Sequence, residues 1–325
     1  MIGIGGIGIG GGGIGGGSGF GFDGGSGSGI GIGGGSGGGI GFDGGSSSGS
    51  GGGGGTILVP QTPTSFANYV ANNTGFSLSN GTLNLSSANS LEFFAKNSEI
   101  QTLNSSLFSN IINLGPIPFV QSVESAFEGT LRVQNINFNS GSIVTNMDSF
   151  VNNSNVKSIN TEVLGLADLS PLPLISSVNY SFANTQNISK VVIPQTNLVY
   201  LNGFAKNSNI SSINSEIPNT VDLSGAIHAQ TYNETFRNTQ NIKSVNLALA
   251  AVSQMRGTFQ NSKASQVNSS KPKTADLSAI AQKIDAENLF KDTTQIEYVK
   301  INLSKIRNAS GMFENSKIKT VYFIN

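Results

Sequence analysis

The sequence predicts a repeat solenoid carrying a parallel β-sheet, with short helical or irregular outer segments and a glycine-rich extension in front of it. Three observations lead there. Residues 1–55 hold 33 of the 43 glycines, and the composition changes abruptly at Thr56. From residue 90 onward one phenylalanine-anchored phrase recurs to the end of the chain. The anchors stand 33, 23, 32, 22, 32, 23, 31 and 23 residues apart, so long and short units alternate in a double repeat of about 55 residues. Units of this size bury their apolar edges by stacking on the next unit, which makes an array rather than a globule.

The expected division is therefore a glycine-rich assembly segment over 1–55 and a solenoid with alternating unit lengths over 56–325. Glycine loses the most backbone entropy on ordering, and the tract has too few large side chains to offset that loss alone. Neighbouring chains are the natural source of the missing contacts, which makes the tract an expected anchor to copies of itself or to other proteins of an assembly. It has internal order: Gly19-Phe20-Gly21-Phe22-Asp23-Gly24-Gly25-Ser26 returns twenty residues later as Gly39-Ile40-Gly41-Phe42-Asp43-Gly44-Gly45-Ser46. Alternating apolar residues suit an extended strand, and glycine-only runs suit threefold polyglycine helices. Both remain open.

Within the array an aliphatic residue follows each aromatic at six and again at nine residues: Phe94 with Ile100 and Leu103, Phe127 with Val133 and Ile136, Phe150 with Val156 and Ile159. The offsets persist at Phe182, Phe204, Phe236 and Phe290, while Phe259 and Phe313 are one residue short. Val70 to Phe76 reads as a degenerate first unit. Each unit closes in a β-branched run such as Lys190-Val191-Val192-Ile193 or Lys319-Thr320-Val321-Tyr322, expected as one strand per coil of a parallel sheet. The long units insert a further segment, marked by Ala167-Asp168-Leu169-Ser170, Val221-Asp222-Leu223-Ser224 and Ala275-Asp276-Leu277-Ser278, expected to add a helical turn or short helix outside.

The stretch Ser181-Phe182-Ala183-Asn184-Thr185-Gln186-Asn187-Ile188-Ser189-Lys190-Val191-Val192-Ile193-Pro194, with its aromatic anchor, small polar cluster and closing Val-Ile-Pro, resembles the BspA-like leucine-rich repeats of bacterial surface proteins. That resemblance covers roughly residues 66–325 and implies a leucine-rich-repeat-like solenoid displayed for binding. The glycine tract resembles the polyglycine segments of some phage tail adhesins.

Little in the chain points to chemistry. Cysteine is absent, which removes disulfides, thiolate metal sites and cysteine nucleophiles. The single histidine, His228, sits in a long-unit insertion, and the carboxylates occur singly, so neither a nucleophile-base pair nor a glycosidase pair can be assembled. Gly38 to Asp43 matches the start of a repeat-in-toxin calcium turn, but its near copy at Asp23 is twenty residues away and Gly45 stands where an apolar residue belongs, so turn formation or interchain capping by Asp23 and Asp43 is the preferred reading. No enzyme, metal or cofactor is expected. Eleven Lys and Arg against six Asp and Glu from Arg256 to Asn325 make the C-terminal end mildly basic, yet no Arg-rich run or nucleic-acid motif accompanies them, so no nucleic-acid partner is expected. Neither a usual secretory signal nor a membrane span is read at the N-terminus.

Recognition is expected on a stripe eight and ten residues after the anchors: Thr102 and Asn104, Asn135 and Asn137, Ser158 and Asn160, Ser212 and Asn214, Ser244 and Asn246, Tyr298 and Lys300, interrupted by Lys190 and Val192. Two residues apart on a strand, they share a face. Such a ladder either docks a glycan or a partner's polar patch, or only satisfies its own neighbours. The expected function is that of a non-enzymatic virion structural protein, a phage fibre, spike or tail component binding a host-surface glycan or protein; the alternative is a bacterial cell-surface adhesin.

Overall fold

In the computed structural model the described residues are 77–79, 82–85, 88, 90–97, 110–138 and 142–324. The glycine segment, the degenerate unit at 70–76, and Thr102 and Asn104 of the stripe lie outside them.

Strands β1 (Ser77–Ser79) and β2 (Thr82–Asn84) pair antiparallel. After them the chain winds as a parallel β-solenoid of about nine turns. One side of the coil is a single sheet made of β3 (Ile111–Asn113), β4 (Asn135–Asn137), β5 (Ser158–Ile159), β6 (Leu166–Asp168), β7 (Lys190–Val192), β8 (Ser212–Ile213), β9 (Thr220–Leu223), β10 (Ser244–Leu247), β11 (Gln266–Val267), β12 (Thr274–Asp276), β14 (Tyr298–Asn302) and β16 (Thr320–Ile324), neighbours in chain order. The other side is a column of parallel bridges through Ser90, Ser122, Asn146, Ser177, Tyr200, Thr231, Gln254 and Asp285, continued by β13 (Ile284–Asp285) against β15 (Ile306–Asn308).

The six-and-nine pattern is the core. Ile136, Ile159, Val191, Ile213, Val245, Val267 and Val299 are buried within their strands, and Val133, Val156, Ile188, Ile210, Ile242, Ala264 and Ile296 are buried beside them. The anchors from Phe94 to Phe290 are wholly buried, and Phe313 is half-buried in the last layer. Ring contacts join Phe94, Phe127 and Phe150, then Phe182 and Phe204, then Phe236 through Phe313, at centroid separations from 5.3 to 6.2 Å.

The turn that aims each anchor inward has a backbone device of its own. Every anchor is straddled by two left-handed residues four apart, as in Tyr180 (φ 55) with Asn184 (φ 59) and Gly203 (φ 58) with Asn207 (φ 56). Asn, Asp and Gly tolerate that region best, which explains the asparagine two or three residues after almost every anchor. The small polar cluster caps the same turn: the hydroxyls of Thr185, Thr239 and Thr293 donate to the carbonyls of Phe182, Phe236 and Phe290 at 2.6 to 2.8 Å. The asparagines also bond one another between layers, with Asn207 Nδ2 donating to Asn184 Oδ1 at 2.9 Å and Asn261 Nδ2 to Asn238 Oδ1 at 2.9 Å.

The insertions depart from the expected outer helix. β6, β9 and β12 are their strands, joining the same sheet, and the one helical turn among the described residues is the 3-10 turn Leu303–Lys305. A six-residue loop between two left-handed residues, Asn160 and Gly165, Asn214 and Asn219, or Asn268 and Lys273, returns the chain early enough to lay a second parallel strand before the coil closes. The motif Asp-Leu-Ser then ends that strand, because Asp168, Asp222 and Asp276 accept from the amides of Ser170, Ser224 and Ser278 at 2.9 to 3.1 Å. Each of the three double units from Phe150 to Met312 therefore lays three strands in the sheet for every two bridges opposite.

Tyr232 is the odd member of the core. It is wholly buried and its hydroxyl has no partner, so burial pushes its pKa far above the ordinary value. Leaving a polar group unpaired in the interior is costly, and Tyr232→Phe is expected to raise stability by about 1–2 kcal/mol, read as a higher urea midpoint. A lower midpoint would show that the hydroxyl is bonded.

Candidate functional site

The predicted stripe splits into two populations. Asn135 and Asn137 flank buried Ile136 on β4, Ser244 and Asn246 flank Val245 on β10, and Tyr298 and Lys300 flank Val299 on β14, so these six stand on the outward face of the sheet. Ser158 and Ser212 are buried instead. The return loops lie over them: Asn135 Nδ2 donates both to Ser158 Oγ at 2.7 Å and to the Thr161 carbonyl at 2.6 Å, and Ser212 Oγ reaches the Ile217 carbonyl at 3.4 Å.

Asn160 and Asn214 hold the start of those loops. Both are left-handed, with φ of 54 and 49. Asn214 Oδ1 accepts from the Ile193 amide at 2.8 Å while its Nδ2 donates to the Ile193 carbonyl at 3.0 Å. Asn160 accepts from the Phe138 amide at 2.6 Å and donates to the Asp168 carbonyl at 2.8 Å. Asn268, outside the predicted set, clasps Leu247 in the same way. Their recurrence 54 residues apart in Asn-Ser/Thr, just before each insertion strand, was the available signal.

The insertion strands also bring carboxylates into the stripe. Asp222 pairs in register with Asn246 and Asp276 with Lys300, whose Nζ lies 3.3 Å from Asp276 Oδ2. Other cations of the basic end are engaged likewise: Arg256 with Asp285 at 2.6 Å and Lys291 with Glu314 at 2.9 Å. For Asp285 burial opposes the charge, but bonds from Arg256 and the Glu287 amide outweigh it and hold the carboxyl below its usual range.

Glu297 is clasped by Lys273 Nζ at 2.5 Å and Lys319 Nζ at 2.8 Å, tying three successive layers. These bonds lower its pKa from 4.5 to about 2. A carboxylate depressed in the folded state contributes stability above its unfolded pKa and loses it as pH falls through the folded one. Amides of β14 and β16 are thus expected to lose hydrogen-exchange protection between pH 4.5 and about 2, and Glu297→Gln to flatten that dependence. Equal pH slopes in both proteins would remove Glu297 as the cause.

On the opposite side, two residues beyond each bridge, a second column runs through Glu124, Asp148, Asn179, Asn202, Asn233 and Arg256. Asp148 accepts from Ser177 Oγ at 2.6 Å, the Asn179 amide at 2.8 Å and Asn179 Nδ2 at 3.0 Å. Each side-chain carbonyl then accepts from the next layer's backbone: Asn179 from Asn202, Asn202 from Asn233, and Asn233 from Arg256, at 2.9 to 3.2 Å. Together with Ser149 and Tyr180, the five residues from Glu124 to Asn233 line an open groove of about 440 Å³. Apolar periodicity passes over this column; its mark in the sequence is the recurring Asn or acid two or three residues before the anchor.

His228 is exposed in its insertion loop. Among the described residues no three His, Asp or Glu side chains group as metal ligands, and no helix is long and apolar enough to cross a membrane. Comparison with protein-family models, characterised proteins and solved structures finds no match.

Proposed function

We propose that this chain is a non-enzymatic structural protein of a virion, a phage fibre, spike or tail component. In this reading the glycine segment anchors it and the solenoid, related to BspA-like leucine-rich repeats, is displayed to bind a host-surface glycan or protein. The observation that carries the reading is the regularity of the displayed surface. On the bridge side amides and carboxylates repeat layer after layer on a rigid core, and on the sheet face Asn135 and Asn137, Ser244 and Asn246 stand outward on it. Such rows suit repeated polar recognition, since one coil reproduces the geometry of the last.

Mass spectrometry of purified particles against a host membrane fraction tests it: the protein is expected in the particles. Enrichment in the membrane fraction would favour the bacterial adhesin. A protein lacking residues 1–55 should keep the melting behaviour of the solenoid and lose incorporation, and normal incorporation would remove the anchoring role.

A further inference from the structure

We infer that the groove between Glu124 and Asn233 is a binding site for a neutral pyranose sugar, with Tyr180 as its stacking platform. The inference rests on the reading of the solenoid as a glycan-binding display and gives that reading a location.

Tyr180 occupies the first left-handed position of its turn, with φ 55. Other layers hold Ser125, Ser149, Gly203, Glu234, Gly257, Asn288 and Gly311 there, and only Phe93 is also aromatic. A bulky aromatic is a poor choice for that backbone, and strain of this kind concentrates at functional positions. Core packing does not explain it, because the residue is 37% exposed. The next layer makes room: a Cβ on Gly203 would lie 2.2 Å from ring atoms Cδ1 and Cε1, so glycine alone accommodates the ring. Lys206 Nζ stands over the ring, 5.9 Å from its centroid, and bonds Glu234 at 2.6 Å, a carboxylate it shares with Arg237.

The hydrogen-bonding groups around the ring divide cleanly. Asp148 and the side-chain carbonyls of Asn179, Asn202 and Asn233 are consumed by bonds between layers. Asn202 Nδ2 and the hydroxyls of Ser149 and Tyr180 have no partner in those networks, and Glu124 spends one oxygen, Oε2, on Asn146 at 3.2 Å. An amide donor, two hydroxyls and a carboxylate oxygen beside an aromatic face match a ring with hydroxyls at its edge and C–H bonds on its face. The groove's volume of about 440 Å³ is in the range of small-ligand sites. Glu124 and Asp148 make it negative, which selects against sialylated, sulfated or phosphorylated sugars.

The test is saturation-transfer NMR and calorimetry on the full chain with maltotriose, cellotriose, chitotriose and 3′-sialyllactose. At least one neutral trisaccharide is expected to bind and the sialylated one not to. Tyr180→Ala should weaken binding by about tenfold or more with no loss of melting temperature, Tyr180→Phe should retain most of it, and Asn202→Ala should weaken it further than Asn246→Ala. Binding abolished by Asn246→Lys and indifferent to Tyr180→Ala would move the sugar to the sheet face, overturning the groove while keeping glycan display. Exclusive binding of the sialylated probe, or of none with the fold intact, would overturn the inference; the display reading itself falls only if the intact protein also fails to attach to host cells.

Discussion

Phe204→Ala is expected to lower the stability of the solenoid by about 3–5 kcal/mol, the usual cost of emptying a fully buried phenylalanine site. Phe204 has no exposed surface, meets Phe182 at 5.3 Å, and its carbonyl accepts from the Phe182 amide at 3.1 Å. The site cannot collapse easily, because the left-handed pair Gly203 and Asn207 fixes the turn and interlayer bonds hold it at the spacing of its neighbours. In a solenoid the penalty falls on two interfaces at once, so urea denaturation should show a lower midpoint and a broader transition as the array uncouples at the damaged layer. A loss below about 1 kcal/mol would mean that the anchors are not the units of cohesion.

Asn214→Ala is expected to cost about 2–3 kcal/mol, although the residue is half-buried and belongs to a stripe predicted as a display surface. Two bonds to Ile193 disappear, its amide loses its acceptor, and alanine must hold φ near 49. Asn214→Gly, which restores the backbone but not the bonds, should fall between alanine and wild type. Asn246→Ala, the same substitution at a half-buried position on β10, should stay within about 0.5 kcal/mol. Similar losses at 214 and 246 by chemical denaturation would refute the division of the stripe into clasps and displayed groups.

Those two asparagines mark how far the sequence could be read. Burial follows periodicity, so Phe204, Ile210 and Ile213 identified themselves by spacing, and the β-branched runs located their strands. The sign of φ leaves no periodic trace: Asn214 and Asn246 occupy equivalent places after their anchors, yet one turns left-handed and the other continues a strand. The same blindness turned the insertions into expected helices, because Leu166-Ala167-Asp168 is three residues long and short apolar runs do not distinguish strand from helix. The groove was harder still. Glu124, Asp148, Asn179, Asn202 and Asn233 stand 23 to 31 residues apart on turns between the elements that carry the pattern, and Tyr180 looks ordinary until Gly203 lies against its ring.

Three strands for every two bridges cannot be stacked straight. Neighbouring strands are spaced by about 4.8 Å, so one double unit measures about 14 Å along the sheet and about 10 Å along the bridge column. With a wall-to-wall thickness of about 10 Å, the difference bends the coil by roughly a quarter of a right angle or slightly more per double unit, giving an inner radius of about 20 Å. On this spacing the sheet is expected on the convex side, and the column from Glu124 to Asn233 on the concave one. A flat surface would touch the hollow only at its ends, whereas a slender or rounded object, such as a chain of sugars standing out from a cell, can enter it and meet several layers together.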